Sequence, residues 1–143
     1  MSLIRLVYAS ESQLAEPDRR GELDRLLATA RRLNEQNGIS GFLLATDAAF
    51  AQILEGSPES VAETYGRIVM DGRHRNLRLL GEESIAARSF AGWSMGVAEH
   101  DETTGFIFGL YGVTPEQDLQ HQPLDILVDL AGELSRTAAL KAS

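Results

Sequence analysis

The sequence has no cysteine, only three histidines and no long apolar run, and each scarcity excludes a class of function. Without cysteine there can be no disulfide, thiolate metal site or cysteine nucleophile. The histidines, at positions 74, 100 and 121, show no ligand spacing, so we predict no metal site. No stretch approaches the roughly 18 apolar residues that span a bilayer, and the first residues lack the pattern of a signal peptide. We therefore expect a cytoplasmic protein.

Basic residues are also scarce relative to acidic ones. Lysine and arginine number 13 against 21 aspartates and glutamates, which gives a formal net charge of −8. Such a surface repels phosphate backbones and anionic headgroups, so we expect neither nucleic acid nor a membrane as a partner. A chain of 143 residues with 43% hydrophobic residues is large enough to bury one continuous core.

The apolar pattern predicts strands that alternate with helices. Asn37 and Gly38 form a left-handed helix stop, and Ser57 followed by Pro58 forms a helix start. Strands are predicted at 3–9, 39–46, 49–55, 77–80 (continuing toward 85) and 93–98, with one helix before Gly38 and one after Ser57. The order β-α-β-β-α-β-β indicates an α+β ferredoxin-like sandwich, in which one sheet carries two helices on one face.

The last part of the chain predicts a further helix. Apolar residues recur at helical spacing over about 123–141, so this helix should pack against the domain or against a second subunit. We divide the chain into a ligand-binding unit at 1–100 and a C-terminal extension at 101–143.

Three polar side chains occupy inward-facing positions. Tyr8 and Gln52 follow strand periodicity onto apolar faces, and Asn34 lies in the apolar stripe of the first helix. An unpaired buried amide costs roughly 1–3 kcal/mol, so these groups need partners. A polar core network or a bound water is the ordinary explanation for any one of them. Together they fit a flat ligand with an apolar body and an amide-like edge, which is the shape of a flavin.

The residues around these positions resemble a known family. The resemblance is to BLUF domains, which are blue-light sensors that use a flavin, and it covers roughly two thirds of the chain, from residue 3 to 96. Each motif is weak alone, but their order and spacing together are specific. The motifs are RLVYAS at 5–10, NEQNGISG at 34–41, FAQILEG at 50–56, DGRH at 71–74 and FAGWSMG at 90–96.

The resemblance implies a non-covalently bound FAD, or FMN, between the two helices. Asn34 would hold the carbonyl edge of the flavin, and Gln52 would bridge Tyr8 to the N5/O4 edge. Aliphatic side chains would line the rings. The polar residues that follow the second helix would meet the ribityl and phosphate end. The basic residues among them, Arg73 and His74, could equally be part of a solvated surface. The implied flavin contacts are Tyr8, Leu26, Asn34, Gln52, Ile68, Asp71, Arg73 and His74.

The resemblance also implies a photochemical mechanism. Blue light would drive proton-coupled electron transfer from Tyr8 to the flavin and leave Gln52 in a changed hydrogen-bonding state, which shifts absorption to the red and reverts in the dark. Trp93 and Met95 would relay the change, and strand alternation predicts both on one face near Gln52, though both could simply be core residues. The sequence does not specify which of them faces the flavin.

Two other functions are compatible with a ferredoxin-like fold. An acylphosphatase-like enzyme would need a phosphate-binding loop, but the loop at 10–16 has no glycine and carries two acids. A ferredoxin-like interaction or regulatory domain without a chromophore differs from a photosensor only in its spectrum. We expect a sensor without enzymatic activity that self-associates or signals to a separate effector through its C-terminal helix.

Overall fold

The computed structural model describes residues 2–13, 18–72 and 74–142. Its strands are β1 (Leu3–Ser12), β2 (Ser40–Ala45), β3 (Ala49–Gly56), β4 (His74–Ile85) and β5 (Gly96–Glu99). Its helices are α1 (Arg19–Asn37), α2 (Pro58–Val69), α3 (Gly105–Leu110) and α4 (Leu124–Ala142), with a 3-10 turn at Leu119–His121. No helix within these described residues is long and apolar enough to cross a membrane.

The strands form one sheet in the order β4-β1-β3-β2-β5. All neighbouring pairs are antiparallel except β2 and β5, which run parallel. Since β1 and β2 are both antiparallel to β3, they are parallel to each other, and α1 connects them by crossing over β3. The connection through α2 crosses β1 in the same way. The predicted ferredoxin-like arrangement is therefore confirmed, with β5 added at one edge.

The predicted local signals account for the ends of these elements. Gly38 ends α1 with a left-handed φ of 69°, and the Ser57 hydroxyl accepts a hydrogen bond from Ser60 N at 3.2 Å at the start of α2. The β2–β3 hairpin turns without glycine because the Thr46 hydroxyl accepts a hydrogen bond from Ala49 N at 3.1 Å and so supports the turn.

Each face of the sheet is covered by a separate apolar core. We call the cluster under α1 and α2 the helix-side core; its buried residues are Leu6, Tyr8, Leu23, Leu27, Ile39, Leu43, Ala45, Phe50, Leu54, Val61 and Met95. The tail-side core lies on the opposite face, where α3 and α4 pack on strand residues such as Val7 and Phe42. Leu127, Leu130 and Leu134 of α4 are buried there, so the apolar stripe of this helix packs against its own sheet.

The last strand is shorter than predicted, because it begins at Gly96 and not at Trp93. The carbonyls of Ser94 and Met95 accept hydrogen bonds from α1 side chains, and these bonds replace a strand ladder. As a result Trp93 packs against the tail-side core, edge-on to Phe42 at 5.7 Å, whereas Met95 belongs to the helix-side core. The prediction that Trp93 and Met95 share a face is therefore wrong.

Candidate flavin-binding site

A cavity lies between α1, α2 and the sheet. It holds about 640 Å³ of empty space, a figure that includes the solvent-open mouth, and it is lined by apolar side chains with a few polar groups, as small-molecule sites are. Its lining includes aliphatic side chains from both helices and polar side chains from the helices and the sheet. The lining residues are Tyr8, Leu26, Thr29, Ala30, Leu33, Asn34, Leu43, Phe50, Gln52, Thr64, Arg67, Ile68 and Asp71.

Most of the flavin contacts expected from the sequence meet in this cavity. Tyr8, Leu26, Asn34, Gln52, Ile68 and Asp71 all line it. Arg73 lies outside the described residues. So does the side chain of His74, although its backbone begins β4. Trp93 is on the other side of the sheet.

The sequence reasoning did not identify some polar lining residues. Thr29 lies three residues after Leu26 on α1, and Thr64 lies four residues before Ile68 on α2. Arg67 also lines the cavity and forms an ion pair with Glu63 at 3.3 Å. Residues three or four apart on a helix lie on the same face, so the positions of Leu26 and Ile68 could have indicated that Thr29 and Thr64 also face the cavity.

Tyr8 and Gln52 form the centre of the site. They are directly opposite each other in the β1–β3 register, which places both side chains on the helix-side face. The Tyr8 hydroxyl donates a hydrogen bond to Gln52 Oε1. Gln52 Nε2 in turn donates to Met95 Sδ at 3.2 Å. A thioether can only accept, so this contact fixes the direction of the amide.

Asn34 is held by the main chain before β5. It is 2% exposed, and its Nδ2 atom donates to the carbonyl of Ser94 at 2.7 Å. The amides of Asn34 and Gln52 therefore each have a protein partner, as the polar-network explanation requires. An amide nevertheless has two N–H donors and two lone pairs on its oxygen, so both side chains keep hydrogen-bonding capacity for a ligand edge in the cavity that they line.

The chemistry of the lining residues fits a flavin. The cavity has aliphatic side chains that can pack against planar rings, and amides that can meet a rim of carbonyl and N–H groups.

Burial keeps the Tyr8 phenol protonated. Its pKa is raised well above the ordinary value of 10.0, chiefly by desolvation and further by the negative charge of Asp71 and by Tyr65, whose ring lies 5.7 Å away. A neutral phenol that donates to an amide can release an electron and a proton together, because the hydrogen bond already provides the path for the proton.

This raised pKa predicts a specific alkaline destabilisation. Above about pH 10 the unfolded chain loses the Tyr8 proton while the folded chain keeps it, so rising pH favours unfolding by up to ~1.4 kcal/mol per pH unit. Tyr8→Phe should remove this contribution. Denaturant titrations between about pH 9 and about pH 11 should therefore show a steeper loss of stability in the wild type than in the variant. Parallel curves would contradict the assignment.

Comparisons with known proteins agree with the site. A family model, BLUF, described as sensors of blue light using FAD, matches residues 3–96. Photoactivated adenylate cyclase subunit alpha of Euglena gracilis is 31% identical over 102 residues, and the blue light- and temperature-regulated antirepressor BluF of Escherichia coli (strain K12) is 34% identical over 88 residues. A solved structure of BlsA in its photo-activated state is similar with a TM-score of 0.77 and 31% identity.

The extent of these matches differs. The alignment with the cyclase subunit covers 71% of this chain but 10% of the subunit, and that with the antirepressor covers 62% and 21%. The BlsA match covers 92% of this chain and 94% of BlsA. This chain thus corresponds to one part of the larger relatives and to nearly the whole of BlsA.

Proposed function

The chain belongs to the BLUF family of blue-light sensors that use FAD, and we propose that it is itself a blue-light photoreceptor whose response begins at Tyr8 and Gln52. The observation that carries this proposal is the hydrogen-bonded series from Tyr8 through Gln52 to Met95, whose first two members line the cavity between α1, α2 and the sheet. The same series would serve no purpose in a chromophore-free interaction domain beyond satisfying buried polar groups.

The flavin would bind without a covalent bond. Leu26 and Ile68 would pack on its rings from the two helices, while Asn34 and Gln52 would bond its polar edge and Asp71 would meet its ribityl end. The family description supports FAD, and FMN is the alternative that a titration must distinguish. Arg73 and His74 are proposed as phosphate contacts from the family pattern alone.

When bound, the flavin supplies the absorption of blue light and an acceptor for one electron. Tyr8 releases one electron, and its phenolic proton moves along the hydrogen bond to Gln52. Tyr8 later recovers both, so the protein undergoes no net oxidation. The hydrogen bonding of Gln52 stays altered, because its amide exchanges donor and acceptor positions and Nε2 no longer faces the Met95 sulfur.

The signal would leave the site through β5. Met95 directly precedes this strand, whose residues alternate between the two cores: Val97 packs against the helix-side core and Ala98 against the tail-side core beneath α4. We propose that a shift of Met95 displaces β5 and is passed to the C-terminal helical layer, and from there to a second copy or an effector protein. The role that we propose for this chain is sensing alone.

Reconstitution followed by illumination tests the proposal. The purified full chain, mixed separately with FAD and FMN, should give a protein-bound flavin spectrum with at least one of them. Blue light should then produce a red-shifted spectrum that returns in the dark. Absence of flavin binding, or binding without any reversible shift, would leave the chromophore-free interaction domain as the better explanation.

The Asn34 amide should contribute to flavin affinity. Asn34→Leu removes a polar contact in a buried site, so we expect the dissociation constant for the flavin to rise about ten-fold, equivalent to one hydrogen bond of ~1.4 kcal/mol. Flavin fluorescence titration measures this constant. Glu35→Ala, an exposed neighbour on the same helix, serves as the control and should bind as the wild type does. Equal affinities for both variants would remove Asn34 from the site.

A further inference from the structure

The connection between β4 and β5 is fixed firmly at its first half. The carboxylate of Glu55 accepts hydrogen bonds from the backbone N–H groups of Ser89 at 3.0 Å and Phe90 at 2.9 Å. Glu55 is fully buried and is paired with the guanidinium of Arg5 at 3.0 Å. Movement of this half would separate buried charges, which is costly.

The second half of the connection is held by α1. Arg31 Nε donates to the carbonyl of Met95 at 2.8 Å, one helical turn before Asn34 donates to the carbonyl of Ser94. The main chain that carries the Met95 side chain is therefore tied to a helix by two adjacent side chains. One of them, Arg31, does not line the cavity.

We propose that Arg31 is a positioning residue that sets how fast the light-activated state returns to the dark state. The inference rests on the proposed function. Met95 is 1% exposed, and its sulfur lies 3.2 Å from Gln52 Nε2. In a packed core the Gln52 amide cannot turn unless Met95 withdraws. Arg31 opposes that withdrawal by holding the Met95 backbone, so it raises the barrier to exchange.

Two substitutions of equal charge isolate the hydrogen bond. Arg31→Gln keeps an N–H donor at the same number of bonds from the main chain, whereas Arg31→Met has similar length and no donor. We expect dark recovery of the Arg31→Met variant to be about five-fold faster than in the wild type, equivalent to ~1 kcal/mol of barrier. Arg31→Gln should recover close to the wild-type rate.

Arg32→Met is the matched control, since Arg32 is an exposed neighbour with no hydrogen bond or ion pair among the described residues. It should leave the recovery rate unchanged. Hydrogen exchange of the flavin-loaded protein in the dark gives a second readout: amides at 94–97 should exchange faster in Arg31→Met than in Arg31→Gln. This measurement does not depend on light.

The outcomes separate this inference from the proposed function. If the wild type forms no reversible red-shifted state, the proposed function fails. If it does form that state but Arg31→Met and Arg31→Gln recover at the same rate, or both match the wild type, only the role of Arg31 is refuted. Faster recovery in Arg32→Met as well would show that the effect is not specific to the hydrogen bond from Arg31 to Met95 and would also refute it.

Discussion

Tyr8→Phe is expected to abolish the light-induced red shift while flavin stays bound. Phenylalanine keeps the ring that packs in the helix-side core but has no hydroxyl to donate to Gln52 Oε1. Without the phenol there is neither the electron donor nor the proton path that the mechanism requires. Absorption spectra before and after blue light measure the effect. Gln52→Ala should give the same loss, because it removes the group that would hold the change.

The matched control for Tyr8→Phe is Tyr65→Phe. Tyr65→Phe also removes one phenolic hydroxyl. The Tyr65 ring lies 5.7 Å from that of Tyr8, but Tyr65 does not line the cavity. We expect Tyr65→Phe to retain the red shift. A full, reversible shift in Tyr8→Phe would refute the role of Tyr8, and loss of the shift in both variants would show that the loss is not specific to the Tyr8 hydroxyl.

Glu55→Ala should lower the free energy of unfolding by about 3–5 kcal/mol, the usual effect of breaking a buried ion pair. The substitution leaves Arg5, which is 8% exposed, without its buried partner. It also removes the acceptor for the N–H groups of Ser89 and Phe90. Denaturant unfolding monitored by circular dichroism measures the change.

Two further variants test the cause of that loss. Glu83→Ala removes the more exposed partner of Arg5, at 3.5 Å, and should cost less than about 1 kcal/mol. The double variant Arg5→Met with Glu55→Leu leaves no unpaired buried charge and should be more stable than Glu55→Ala alone. If Glu55→Ala costs no more than Glu83→Ala, the buried network does not stabilise the fold as we infer.

Local sequence signals were sufficient to predict the order of strands and helices as far as β5 and the C-terminal helix, but they did not predict α3. The Gly38 stop and the Ser57–Pro58 start determine helix ends through the conformations of adjacent residues, so they can be read without the rest of the fold. The segment before β5 could not be predicted in this way. Its apolar alternation suggested a strand, but side chains about 60 positions earlier in the chain bind its carbonyls.

The same distinction applies to the site. Periodicity placed Tyr8, Gln52 and Asn34 on inward faces, and all three line the cavity. Whether Trp93 or Met95 lies next to Gln52 depends on where β5 begins, and therefore on the long-range hydrogen bonds from α1. The apolar stripe of α4 likewise could not indicate whether it packs on its own sheet or on a partner, since either arrangement buries the same residues.

The central claim is that light changes the hydrogen bonds of the Gln52 side chain. A light-minus-dark infrared difference spectrum of the flavin-loaded chain, recorded with and without isotope-labelled glutamine, tests it most directly, because Gln52 is the glutamine that lines the cavity. We predict a side-chain amide band that changes on illumination and moves with the label. A red-shifted state whose difference spectrum contains no label-sensitive amide band would contradict the account.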